Sequence, residues 1–333
     1  MNLKIKSKQP LKKLASNSNG RKIILRDFYE FIYDRHLIWY KRNIKNLAFP
    51  WTEDEILRKN MFCNVYRELD KCTIHLLNYV INNASLTLED KIFNILLYRR
   101  FNTPNFYDIF PVQTLENFNF KNLEKQMDKA KANGHKLFNS AYIICQRYYQ
   151  STYRKGDKHV QQLLIMKQLH KNFYDFYFPA LQEGQSSIEE LHKVLKEEIP
   201  MSGDFMCFQY CNDITYIPEL KYCFDDLNDF VAMGPGSKPG IDLLFPGHKE
   251  SHAELCKYLY IRQIDFFNEL ASNHNKNFYR IKYDSPYFKA DKGNPAFISL
   301  SNIQNCLCEF RKYIMLQTNP KKRKRYYKGA NNV

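Results

Sequence analysis

Apolar residues recur at three- and four-residue steps along most of the chain, the spacing that turns one face of an α-helix toward a core. From Arg26 the segment DFYEFIYDRHLIWYKR carries this pattern up to a break at Ala48-Phe49-Pro50-Trp51. Thr52 with Glu55 has the form of a capping box, so a second helix is expected to start there. Phe62, Val65, Leu69, Cys72 and Leu76 then predict a two-faced helix with Asn64, Arg67, Lys71 and His75 together on its polar side. Such a stripe is either a solvated surface or a working face. Thr87 to Phe101 reads as a capped helix ending in RRFN, and residues 103–125 read as largely irregular. Helices are expected again over 121–150 and 158–181. Ser187 with Glu190 caps SIEELHKVLKEEIP, and Ser301 with Gln304 caps NIQNCLCEFRKYIML. Alternating apolar runs are few and glycines number only 11, so the fold class is mainly α.

No repeat or strong linker forces a cut. The expected organisation is a mobile basic arm over residues 1–20, a single helical domain over 21–318 and a basic tail over 319–333. Charge adds direction to this picture. The 50 Lys and Arg residues against 35 Asp and Glu give a net +15 and favour a polyanionic partner, nucleic acid before an anionic membrane surface. No stretch approaches the roughly 20 consecutive apolar residues that a bilayer span needs, and MNLKIKSKQPLKKL lacks the apolar run of a signal peptide. The nine cysteines therefore read as reduced thiols of an intracellular protein. KKRKRYYKG, after Pro320, suits phosphate contact, nuclear import in a eukaryotic cell, or simple solvation. His248, His252 and Cys256 lie at i, i+4 and i+8, a spacing compatible with zinc, but no fourth ligand is evident; the expectation is no metal and no cofactor.

The stretch KYCFDDLNDFVAMGPGSKPGIDLLF places two apolar segments on either side of Gly234-Pro235-Gly236. It has the form of a helix-hairpin-helix turn, in which Gly234, Gly236 and Gly240 let backbone approach a phosphate, Lys238 adds charge and Pro239 fits the first turn of the second helix. Two chemistries are disfavoured. Hairpin-type glycosylases carry a catalytic Asp beyond the hairpin, where this chain has Glu254. A G-x-x-x-x-G-K-[ST] string is absent, so ATP binding through a P-loop is not expected.

Six strings, in order, resemble the alpha-glutamyl/putrescinyl thymine pyrophosphorylase family, whose helical domain also accompanies phage 5-hydroxymethyluracil DNA kinases. They are RHLIWYKR (35–42), PWTEDEILRKNMFCNVYRELDKCT (50–73), RRFN (99–102), GDFMCFQYCNDITY (203–216), GPGSKPGIDLLF (234–245) and LCEFRKY (307–313). The chain departs from the family pattern at Gln304 and Asn305, where an acid and a His are usual, and at Arg311, where a small or acidic residue is usual.

The resemblance implies a glycosylase-like helical fold acting on modified thymines in DNA. The implied reaction replaces the diphosphate of 5-diphosphooxymethyluracil with an amine. Such a site needs a flipped base, cations for the diphosphate and a carboxylate for the amine's proton. By residue type the cation candidates are Arg35, Arg67 and Lys238, and the carboxylate candidates are Asp70, Asp213 and Glu309, each also able to serve in a structural ion pair. Asn64 and Gln209 could read a base edge, Lys312 joins the DNA-contacting set, and Trp51 either stacks or anchors. The partners implied are DNA, an amine co-substrate and a separate 5-hydroxymethyluracil kinase. The alternative is a non-catalytic module that presents modified or flipped bases to another enzyme.

Overall fold

The computed structural model describes residues 24–139, 157–176, 187–199, 202–220, 224, 226–290 and 296–318. The basic arm, the basic tail, and residues 140–150 and 177–181 of the helices expected over 121–150 and 158–181 lie outside them. The helices are α1 (Leu25–Asn43), α2 (Glu55–Lys59), α3 (Lys71–Leu76), α4 (Leu88–Phe101), α5 (Phe106–Ile109), α6 (Phe120–Ala132), α7 (Lys158–Lys171), α8 (Phe173–Phe176), α9 (Ile188–Glu198), α10 (Asp204–Ile214), α11 (Lys238–Leu244), α12 (His252–His274) and α13 (Leu300–Thr318), with no strand among the described residues. The mainly α expectation holds. None of the described helices is long and apolar enough to cross a membrane.

Two compact units divide the stretch expected to form one domain: residues 1–67 with 233–333, and residues 68–232. In the first, α13 packs against α1, α2, α11 and α12. Aromatic edges fill the space: Phe28 meets Phe310 at 5.5 Å, and Tyr29 stacks on Phe266 at 4.7 Å. The buried amide of Gln263 accepts from the N–H groups of Phe297 and Ile298 and donates to the Tyr260 and Ile298 carbonyls, tying the chain before α13 to α12. In the second unit α4 is the central helix, buried from Asp90 through Phe101 and packed against α7 and α10. A helix buried on all sides leaves its polar side chains to be satisfied internally. Asn94 shows how: it donates to the Asp90 and Gln113 carbonyls and accepts from the Gln113 N–H.

Caps set several of these boundaries. Thr87 Oγ1 accepts from Asp90 N and Ser187 Oγ from Glu190 N, both at the expected places. Two starts shift. Helix α2 is capped by Asp54, whose Oδ1 takes both Ile56 N and Leu57 N, while Thr52 only supports Asp54 through its hydroxyl. The last helix begins earlier than expected because Ser299, rather than Ser301, accepts from Asn302 N.

Two expected elements differ more deeply. The helix drawn through Phe62–Leu76 is instead a non-helical run, a 3-10 turn at Arg67–Leu69, α3 and a π-turn at Leu77–Ile81. Its proposed polar stripe is therefore dispersed: Arg67 and His75 are buried, whereas Lys71 is exposed. The first helix of the anticipated hairpin is also not formed among the described residues. Residues 227–229 form a turn, and Val231, Ala232 and Met233 run without helix, so Gly234-Pro235-Gly236 leads from irregular chain into the seven residues of α11.

Candidate functional site

The strings singled out in the sequence meet one another within each unit. In the first unit they converge on the non-helical run Met61–Asn64, whose backbone groups need partners from outside. Arg35, on α1, supplies three bonds: Nη2 to the Phe62 carbonyl at 2.9 Å, Nη2 to Asn64 Oδ1 at 2.7 Å and Nε to the Cys63 carbonyl at 3.0 Å. From α13, Glu309 Oε2 accepts the Cys63 N–H at 2.9 Å, and Lys312 donates to both the Met61 carbonyl and Glu309. The Lys312 ammonium also lies 4.3 Å from the centre of the Phe62 ring.

One turn along α13, the Tyr313 hydroxyl donates to Asp54 Oδ2 at 2.6 Å and so fixes the cap of α2. Burial, together with the bond to Asp54, pushes the Tyr313 phenol well above its ordinary range, so it remains a donor. Arg35, Asn64, Glu309 and Lys312 thus form one cluster, with Cys63 exposed at its surface. The main chain of Arg67 is held by Asn302 Oδ1 at 3.1 Å. Trp51 donates its indole N–H to the Leu47 carbonyl, and Arg42 lies over its ring.

The glycine turn packs against α13. Ser237 Oγ accepts the Gly234 N–H at 3.1 Å and receives Gln304 Nε2 at 3.0 Å. Gln304 therefore ties the turn to α13. A Cβ at Gly236 would come within 2.5 Å of Cys308 Sγ, and one at Gly240 within 2.5 Å of the Leu307 carbonyl oxygen. Both glycines permit close helix packing, while Lys238 remains exposed.

The second unit holds the other pair of strings. Arg99 of α4 and Asp213 of α10 form a two-pronged ion pair at 2.5 and 2.9 Å, with Asp213 0% exposed. The same guanidinium donates to Asn102 Oδ1 at 2.7 Å and Thr73 Oγ1 at 3.1 Å. Asn102 ends α4 in the left-handed region at φ 52°. Gln209 lies one turn before Asp213 on α10, half-buried, and Asp70 occupies the N-cap position of α3. His75 accepts the Tyr107 N–H, and burial lowers its pKa, which favours this neutral acceptor.

Sequence reasoning missed Arg99, Asn102 and Thr73 as the surroundings of Asp213, although RRFN was already among the matching strings. It also missed the bond from Tyr313 to the Asp54 cap, a contact that no local signal contains.

A family model described as "5-hmdU DNA kinase, helical domain" matches residues 22–323. A 5-hmdU DNA kinase of Bacillus phage SP10 is 27% identical over 231 residues, covering 64% of this chain and 35% of the phage protein. The chain therefore spans only about a third of that relative's length. No solved structure matches.

Proposed function

The chain belongs to the family of 5-hmdU DNA kinase helical domains, and on that premise we propose that it acts in thymine hypermodification, on DNA carrying 5-hydroxymethyluracil derivatives. Within that setting its role is a DNA-engaging helical module that presents the modified base to a separate kinase or transferase. The observation that carries this reading is the commitment of the best charged candidates to structure. Asp213 is locked to Arg99 away from water, and Arg35 is engaged by two carbonyls and an amide oxygen. A carboxylate held in a buried two-pronged ion pair is a poor proton acceptor, because protonation would leave the guanidinium charge uncompensated.

A second reading is favoured by the Glu309–Lys312 pair, whose side chains are 12% and 22% exposed beside the Cys63 backbone. Here an amine nitrogen attacks the 5-methylene carbon. The carbon–oxygen bond breaks with its electron pair leaving on pyrophosphate, and Glu309 takes the amine's proton. Lys312 and Lys238 offer charge for the leaving group.

Both readings are tested by giving the full chain duplex DNA that bears 5-diphosphooxymethyluracil, with and without a panel of small amines. Tight binding with unchanged nucleosides by mass spectrometry is the expected result. Pyrophosphate release with an amine-linked thymine establishes the substitution instead. Absence of both binding and turnover overturns the proposed function.

A further inference from the structure

The turn after α11 brings together three side chains that neither reading uses. Asp242 projects from α11, His252 is the first residue of α12, and His248 lies in the loop between them. His248 Nε2 is 3.0 Å and His252 Nε2 is 2.9 Å from the same atom, Asp242 Oδ1. One ligand atom from each residue falls within a 4.8 Å cluster. Cys256 takes no part. It is buried in the core one turn along α12, so the third member is the carboxylate of a different helix rather than the thiol at i+8.

The hydrogen-bond geometry indicates what belongs between these groups. His248 Nδ1 is 2.7 Å from the Glu250 carbonyl, which can only accept, so Nδ1 carries the proton. Nε2 is then the ring atom directed at Asp242. An Nδ1–H bonded to a main-chain carbonyl, with Nε2 directed at the site, is also the arrangement that orients metal-binding histidines.

Spacing and support agree. Four-coordinate zinc with bonds of about 2.0–2.1 Å holds its ligand atoms about 3.3 Å apart, a few tenths of an ångström wider than the two histidine–carboxylate separations, and all three ligand atoms lie within 4.8 Å of one another. The ligands also sit on fixed backbone. His252 lies within a reciprocal capping box between Ser251 and Glu254, and Gly247, at φ 74°, turns the chain before His248.

We propose that Asp242, His248 and His252 form a binding site for a divalent transition-metal cation of the zinc type, with its remaining coordination position open to solvent. Two imidazoles and one carboxylate are a ligand set that suits zinc better than magnesium or calcium, which favour oxygen alone. The site is accessible, the Asp242, His248 and His252 side chains being 56%, 14% and 30% exposed. Lys238 stands one helical turn before Asp242 on α11, so an anionic oxygen completing the coordination sphere would meet a second positive charge on that side of the helix.

Zinc titration of the chelator-treated full chain, followed by dialysis and elemental analysis, tests the site. One zinc per chain is expected, with nitrogen and oxygen ligands but no sulfur in X-ray absorption. The double variant His248→Ala/His252→Ala should weaken binding by roughly a hundredfold or more, with circular dichroism unchanged. Should that variant fold poorly, Asp242→Asn provides the second test, since it keeps the side-chain shape while removing the charge, and it too should bind zinc more weakly. Cys256→Ser should bind as the unaltered chain does. No zinc in the unaltered chain, equal binding by Asp242→Asn and the folded double variant, or sulfur in the coordination shell would each overturn the proposal.

Discussion

Asp213 and Arg99 place opposite charges where water does not reach, and Asn102 and Thr73 take two of the remaining guanidinium protons. Removing one partner should therefore cost far more than the pair contributes. Asp213→Ala is expected to lower stability by about 3–5 kcal/mol in urea unfolding, because the Arg99 charge stays buried without its partner. The double change Arg99→Met/Asp213→Leu should recover most of that loss, whereas equal destabilisation by both variants would show that the charges are not coupled. His36 supplies a pH test on the same principle. Its ring is fully buried against Trp39, Tyr66 and Phe278, with Nε2 2.8 Å from the Ile281 carbonyl, and burial depresses its pKa to about 3. Between that value and the ordinary histidine value the unfolded chain takes up a proton that the folded chain refuses. The contribution of His36 is thus complete above the unfolded value and is lost as the pH falls toward 3. The melting temperature of His36→Gln should fall less steeply from pH 6.5 to pH 4 than that of the unaltered chain; parallel slopes would count against this assignment.

At the scale of elements, the contact of α11 with α13 depends on a missing side chain. A Cβ at Gly240 meets the Leu307 carbonyl oxygen at 2.5 Å, main chain that cannot step aside, whereas one at Gly236 meets a thiol that can rotate. Gly240→Ala should therefore destabilise the first unit by about 2 kcal/mol, and by more than Gly236→Ala, as read by thermal melts of the two variants. Elements whose determinants are local were legible in the sequence. Thr87 and Ser187 cap helices at the expected positions because a hydroxyl and the N–H three residues later are all that such a cap requires. The break between Phe62 and Leu76 was not legible. Its non-helical start is held by Arg35, Glu309 and Lys312, which lie far from it in sequence. The lack of helix over residues 231–233 has a related cause. Val231, Ala232 and Met233 are apolar because they are buried, and a short apolar run is compatible with burial in any conformation.

At the scale of the molecule, five of the six matching strings fall within one unit each, and the longest, residues 50–73, passes from the first unit to the second after Arg67. Those around Arg35, Gly234 and Leu307 build the first, and RRFN with the segment around Asp213 builds the second. Residue types in these strings marked positions that matter, but most of their chemistry is spent within the protein. Which side chains remain for a partner depends on burial, and that could not be read from order or charge. Lys238 illustrates the remainder: it is exposed on α11, in a chain whose excess of 15 positive charges favours a polyanion. If the chain engages DNA as proposed, the logarithm of its affinity for a duplex should fall linearly with the logarithm of salt concentration, with a slope of about −0.9 per phosphate contacted. Lys238→Glu should weaken binding to all duplex sequences alike and reduce the magnitude of that slope by about one. Titrations by fluorescence anisotropy at several salt concentrations measure both quantities on one preparation. A weakened affinity with an unchanged slope would assign Lys238 to something other than a phosphate, and an unchanged affinity would remove α11 from the DNA-binding surface.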